Sequence, residues 1–187
     1  MDHYVDIEVR PDPEFPASHL MSALFSKLHR ALVSMSTTSI GVSFPGFDLN
    51  PPNLGNCLRL HGELLVLSEL LKDDWLSGMR DHVRVADPAL VPKNAQHREV
   101  RRLQVKSSPE RLRRRLMSRH NFDTEEARHR IPDMSARFLQ LPFVNLRSTS
   151  TGQSYRVFFD QGPLQSTSVP GAFNSYGLSQ SATVPWF

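Results

Sequence analysis

A run of arginines, a histidine on a helix and a cluster of hydroxyls are the parts of this sequence with the residue types and spacing to do chemistry. The run is Ser107 to His120, SSPERLRRRLMSRH. Ser108 suits an N-cap, Pro109 fits a first helical turn where its missing N–H costs nothing, and Glu110 complements the positive end of the helix dipole. Wound as a helix, the segment gathers Arg111, Arg114, Arg115 and Arg119 on one broad face with Ser118, beside a narrow apolar stripe of Leu112 and Leu116. A solvated charged face normally mixes signs, whereas this one has a single acid at its start. Guanidinium groups of one sign call for a polyanion, and their planar forks match phosphate oxygens.

His29 lies on a long amphipathic segment, next to Phe25 and Leu32, at the boundary between the apolar stripe and the polar face. A boundary histidine with its hydrogen bonds satisfied is the plain alternative to a functional one. The functional alternative gains weight from the basic half of the chain: imidazole titrates near working pH, and RNA carries its own nucleophile in the 2′-OH. Ser148 and Ser150 share one face of a strand, with Thr151 at the turn beyond, so three hydroxyls are placed to hold a ribose or a phosphate. An ordinary Ser/Thr-rich surface strand is the competing reading.

Composition narrows the classes. The 187 residues, 39% of them hydrophobic, suffice for one large or two small domains with a buried core. The formal net charge of +3 conceals an asymmetry: residues 1–96 hold 8 Lys+Arg against 12 Asp+Glu, residues 97–187 hold 14 against 7. The second half therefore supplies phosphate contacts and a salt-dependent binding term. Cys57 is the only cysteine, which rules out an intramolecular disulfide and a cysteine-based zinc site and fits a reducing, cytoplasmic home. No signal-peptide pattern or membrane-length apolar run is present. The eight histidines and the acids form no convincing metal-binding set, and no glycine-rich phosphate loop follows a strand, so neither a metal nor a nucleotide cofactor is expected.

The elements that must position these groups follow from periodicity. His3–Arg10 alternates as a half-buried strand, Ser18 to about Met35 is an amphipathic helix, Ile40–Phe44 and Cys57–His61 are strands, Glu63 to about Leu71 is a second helix, and His82–Ala86 is a further strand. That order, β-α-β-β-α-β, is the split βαβ, ferredoxin-like unit of an α+β protein, also used by RRM-like domains. Pro88, Pro92 and the change of charge put a boundary near residue 94, giving a ferredoxin-like domain over 1–94 and a smaller RNA-recognition domain over 95–187. In the latter, Val100–Lys106 is extended, the arginine helix covers about 108–120, Asp123 with Glu126 caps a short helix, and Phe143–Phe159 forms a hairpin turning near Gly152. The terminal Pro170–Phe187 is a docked strand or loop.

Taken together, the chain resembles the CRISPR type I-F repeat-processing endoribonucleases. The residues that carry the resemblance are the opening MDHYVDI and RPDPEFP, Lys27-Leu28-His29, Val42-Ser43-Phe44-Pro45, Gln104 to Leu116, Arg130-Ile131-Pro132-Asp133, Leu141-Pro142-Phe143, Leu146-Arg147-Ser148, Ser150-Thr151-Gly152-Gln153, Tyr176-Gly177-Leu178-Ser179 and Val184-Pro185-Trp186-Phe187. The resemblance implies an enzyme that cuts precursor CRISPR RNA at the base of each repeat hairpin by metal-independent 2′-OH attack, leaving a 2′,3′-cyclic phosphate and a 5′-OH, and stays bound to the mature crRNA. It also implies roles: His29 as general base, Ser148 holding the nucleophilic ribose, Tyr176 positioning His29, and Ser150 and Thr151 at the scissile region. Arg102 and Gln104 would read a guanine and an adenine edge near the foot of the stem, where an A-form major groove opens, with the arginine helix and His120 in the groove itself. Tyr155 stands where the family has a stacking phenylalanine and keeps the π face. Ser118 replaces a further arginine.

The implied partners are the repeat hairpin and the other subunits of the type I-F surveillance complex, with a monomer when alone and no membrane. A non-catalytic RNA-hairpin-binding subunit is the alternative. A DNA-binding regulator is disfavoured by the absence of a helix-turn-helix pattern. Arg115→Ala is expected to weaken binding to hairpin RNA and to lower the slope of log K against log salt by about one. A salt titration with an unchanged slope would remove Arg115 from the phosphate contacts.

Overall fold

The computed structural model describes residues 1–103, 109–120, 122–131, 140–148 and 151–187, with 109–112 described by backbone alone. Of the sequence-stretch expectations, those on Gln104, Ser108, Ser150 and Pro132, and on the Arg111 side chain, lie outside these residues.

The protein is α+β with antiparallel sheets and, among the described residues, four α-helices. In chain order, β1 (His3–Val9), α1 (Ala17–Met35), β2 (Gly41–Ser43), β3 (Asp48–Leu49), β4 (Pro52–Asn53), β5 (Cys57–Gly62) and α2 (Leu64–Lys72) lead to β6 (Val83–Val85) and β7 (Ala89–Leu90). Then come β8 (Gln96–Arg98), β9 (Val100–Leu103), α3 (Pro109–His120), α4 (Thr124–Arg130), β10 (Phe143–Arg147), β11 (Ser154–Gln161) and β12 (Val184–Trp186). The first sheet runs β2-β5-β1-β6, with β7 also pairing with β1. The second runs β10-β11-β9, so Val100–Leu103, the described part of the expected extended segment, is a third strand on the hairpin. The terminal β12 pairs with β8.

Contacts gather Met1–Leu103 and Leu141–Phe187 into one compact unit and Gln104–Gln140 into another.

Alternation does what it must in β1: Val5, Ile7 and Val9 are buried, and Tyr4, Asp6 and Glu8 lie on the other face. The stripe of α1, Leu20, Leu24, Phe25, Leu28 and Leu32, closes over the core with Val42 and Phe44, Leu58 and Leu60 of β5, and Leu67 and Leu70 of α2. Each such side chain contributes about 1.5–3 kcal/mol on leaving water. The same core continues into the second sheet through Val144, Leu146, Val157 and Phe159. Phe25, Phe44 and Phe159 meet in a triangle, Phe159 lying edge-on to Phe44 at 4.7 Å and to Phe25 at 5.2 Å between ring centroids. Ser22 adds a polar tie, since its hydroxyl donates to the Ser18 carbonyl and accepts from the Asn145 N–H of β10.

On the outer face of the first sheet, Arg59 grips Asp6 through both carboxylate oxygens and lies over the rings of Tyr4 and Phe187, which fastens the last residue there. In the second unit, the expected cap of α4 is present in full: the Asp123 carboxylate accepts from the Glu126 N–H and the Glu126 carboxylate from the Asp123 N–H. Arg113 donates to the Ile131 carbonyl at 2.8 Å and so ties α3 to the end of α4. Among the described residues no helix is long and apolar enough to cross a membrane.

A buried histidine gives the core a pH dependence. His61 is fully buried beside Ser43, its Nε2 2.8 Å from the serine hydroxyl. Burial, helped by the Arg59 charge, pushes its pKa down from 6.5 to about 3. The unfolded chain takes up a proton below about 6.5 that the folded chain refuses, so this group's stability is present above that pH and is lost progressively as pH falls. The double variant Ser43→Ala/His61→Leu should therefore show a flatter decline of the urea midpoint between about pH 6 and pH 4 than the parent. Equal slopes would mean that other groups govern the acid limb.

Candidate functional site

A cleft of about 620 Å³ opens between α1 and the β10–β11 turn, lined by Ser26, His29, Arg30 and Val33 from the helix and by Leu146, Arg147, Ser148, Gly152 and Tyr155 from the hairpin. It exists because the aromatic triangle and the Ser22–Asn145 tie press the helix against the hairpin. Amphipathicity then decides which residues face it: His29, half-buried, sits one step off the apolar stripe, where it is held by the core yet reaches solvent.

The His29 ring is fixed on two sides. Its Nδ1 lies 2.7 Å from the Ser175 carbonyl oxygen. A carbonyl can only accept, so Nδ1 donates, and in the neutral imidazole Nε2 is left as the lone-pair nitrogen. The face of the ring stacks on Tyr176 at 4.0 Å between centroids and 9° between planes. Tyr176 in turn lies nearly parallel to Phe25 at 6.2 Å.

The loop that presents both the carbonyl and the tyrosine is built by Asn174. Its side-chain oxygen accepts from the N–H groups of Tyr176 and Leu178, and its own backbone pairs with Leu178 and Gly177. Gly177 has φ +70, and a Cβ there would stand 2.6 Å from the Val42 side chain. Its carbonyl accepts from the Val42 N–H at 2.9 Å, seaming the loop to β2. Asn174, Ser175 and Gly177 had drawn no role from the sequence. The Asn-Ser-Tyr-Gly order was a turn signal, but nothing local indicates that the turn offers a carbonyl to a histidine far back in the chain.

Ser148 lies at the end of β10, where its N–H donates to the Gln153 carbonyl, its carbonyl accepts from the Gly152 N–H, and its hydroxyl accepts from the Thr151 N–H at 3.2 Å. Gly152 takes φ +67, as the tight turn requires. Arg147 closes the turn by donating to the Gly152 carbonyl. His29 and Ser148 thus line one cleft from opposite walls, and Thr151 stands exposed at the turn.

Tyr155 and Tyr176 join hydroxyl to hydroxyl at 3.0 Å. Burial first, and then that hydrogen bond, push the Tyr155 phenol up to about 12, so it keeps its proton at neutral pH. The Arg102 guanidinium lies 5.4 Å from the Tyr176 ring centre and 5.9 Å from that of Tyr155, and its buried Nε has no hydrogen-bond partner among the described residues. Arg102, Tyr155, Tyr176 and His29 therefore form a continuous series of contacts.

In the second unit, Arg114, Arg115, Ser118 and Arg119 line an open groove of about 330 Å³ on α3 and are exposed, as is His120, whose ring tilts toward Phe122. Arg113 faces α4. Among the described residues, no three His, Cys, Asp or Glu side chains gather in a way that could hold a metal ion.

Residues 4–187 match the family model described as CRISPR-associated protein (Cas_Csy4). The chain is 56% identical over 187 residues, all of both chains, to the CRISPR-associated endonuclease Cas6/Csy4 of Pseudomonas aeruginosa (strain UCBPP-PA14). It is 42% identical, again over the whole of both, to the CRISPR-associated endonuclease Cas6/Csy4 of Escherichia coli (strain UTI89 / UPEC).

The glycine that shapes the histidine's loop offers a direct check. Gly177→Ala should destabilise the fold by about 1–3 kcal/mol, because alanine must either adopt a left-handed backbone or push Val42 aside. It should also shift the His29 ring resonances in an NMR spectrum. A variant with parental melting temperature and His29 signals would show that the loop does not depend on this backbone conformation.

Proposed function

The chain belongs to the CRISPR-associated Cas_Csy4 family, and from that premise we propose that it is an endoribonuclease that cuts precursor CRISPR RNA at the base of the repeat hairpin and keeps the mature crRNA. The observation that carries the reading is the hydrogen bond from His29 Nδ1 to the Ser175 carbonyl, which leaves Nε2 as a proton acceptor in the cleft that Ser148 also lines. In this reading Nε2 takes the proton of the substrate 2′-OH, and the 2′ oxygen attacks the adjacent phosphorus. The bond to the 5′ oxygen breaks, and that oxygen leaves with a proton as the 5′-OH, the other product being a 2′,3′-cyclic phosphate. Ser148 holds the ribose so that attack is in line. A serine in this place positions and does not attack, because the nucleophile comes with the RNA. No metal is required for that step.

Tyr176 orients His29, Ser150 and Thr151 contact the scissile region, and Tyr155 offers a ring to the last base pair of the stem. Arg102 and Gln104 read base edges there, and the buried Nε of Arg102, without a partner among the described residues, is consistent with a donor held for a ligand. Arg111, Arg114, Arg115, Arg119 and His120 neutralise phosphates along the stem. The strand order β2-β5-β1-β6, with a helix after β1 and another after β5, supports a ferredoxin-like N-terminal domain over 1–94, followed by the RNA-recognition domain over 95–187. A cytoplasmic location and membership of a crRNA-guided complex with other subunits belong to the same reading.

The test is cleavage of a repeat-hairpin RNA in EDTA by the parent protein and by His29→Ala, each with the all-ribose substrate and with a 2′-deoxy residue at the cut site. Cutting by the parent of the all-ribose RNA alone is the expected result, with a loss of at least about 100-fold in the variant, the usual worth of a general base. Tight binding without cutting would replace this reading by that of a non-catalytic RNA-binding subunit.

A further inference from the structure

We propose that the Tyr155 hydroxyl is a positioning group for His29, acting through Tyr176. The proposal rests on the reading of His29 as general base. Stacking fixes the separation and tilt of the His29 and Tyr176 rings, at 4.0 Å and 9°, but parallel faces slide and turn over one another with little resistance. The bond from Nδ1 to the Ser175 carbonyl holds one edge of the imidazole, and a restraint on the stacked Tyr176 ring adds the precision that proton transfer demands.

Tyr176 has such restraints at both ends. At the backbone, the Asn174 side chain accepts from the Tyr176 N–H. At the far tip of the ring, the hydroxyl is bonded to that of Tyr155 at 3.0 Å. Tyr155 is itself anchored in β11, where it pairs with Leu146 of β10. The hairpin that carries Ser148 is thereby connected to the ring that aligns His29. One element thus sets both the group that would hold the ribose and, through two tyrosines, the group that would take its proton. The contact would also transmit to His29 any displacement of Tyr155 when a base pair settles on its ring. The nearby Arg102 cation faces both rings.

Tyr155→Phe keeps the ring and deletes the bridge. Loss of one neutral hydrogen bond that aligns the base should slow single-turnover cleavage about 3- to 10-fold, while the Kd for the hairpin, which depends on the ring face, should change by less than about 2-fold. Tyr176→Phe should give the same loss, and the double variant no further loss, because both substitutions break one contact. The His29 ring resonances of the free protein should move in each variant, with the melting temperature recorded as a control for general loosening. Cleavage by Tyr155→Phe at the parental rate, rate and affinity falling together, losses that multiply in the double variant, or unmoved His29 signals would each overturn the proposal. A parent protein that does not cut at all would overturn the nuclease reading instead, and the two failures are told apart by the parent's rate alone.

Discussion

The meeting of Phe25, Phe44 and Phe159 is the contact on which the rest of the site depends. Those rings come from α1, from the residue after β2 and from β11, three segments that no local interaction would bring together. Edge-to-face contact between buried rings adds about 0.5–1.5 kcal/mol to the larger gain from removing them from water. The triangle and the Ser22–Asn145 hydrogen bond together hold the helix against the hairpin. The cleft opens beside the buried stripe of α1, where Ser26, His29, Arg30 and Val33 face the hairpin.

His29 can be both held and accessible because it stands at the edge of that contact. His61, fully inside the core, is held neutral by burial first and by the Arg59 charge in addition. At the cleft edge, the Ser175 carbonyl and the Tyr176 face supply orientation without complete desolvation. Orientation is then a property of the 174–178 loop, whose shape comes from one asparagine side chain and one glycine with a left-handed backbone. As in any tight turn, the loop's polar groups are met from within it, by the Asn174 side chain and backbone.

Arginine serves two purposes in this chain, and neighbours decide which. Arg59 with Asp6, Arg84 with Glu8, and Arg101 with Asp160 are paired within the protein. Arg98 and Arg113 donate to backbone carbonyls. By contrast, Arg114, Arg115 and Arg119 stand exposed along one groove of α3. Helical spacing separates the two uses: Arg113 points to α4 while Arg114 and Arg115 are exposed. Ser118 sits among the outward group, so the groove carries a short hydroxyl where another cation would fit.

Local order was legible in the sequence where a repeating pattern had a physical cause. Burial on one face produced the alternation of β1 and the stripe of α1, and the reciprocal cap at Asp123 and Glu126 marked the start of α4. The Phe143–Phe159 hairpin turned at Gly152 because only a small residue accepts that backbone cheaply. The two-residue strands β3 and β4, with the cis Asn50–Pro51 bond between them, were not legible, since so short a pairing has no period. Nor was the pairing of β9 with β11, which depends on a partner more than fifty residues away. The residue types of the candidate site were visible as well: a boundary histidine, hydroxyls at a turn, a one-sided arginine helix. Only the tertiary structure decided that His29, Ser148 and Tyr155 line one cleft, that the Ser175 carbonyl selects which nitrogen of His29 carries the proton, and that two tyrosine hydroxyls meet. Each of these is a contact between distant segments, fixed by how the core packs, and periodicity along the chain carries information only about which face of an element is buried, not about what it is buried against.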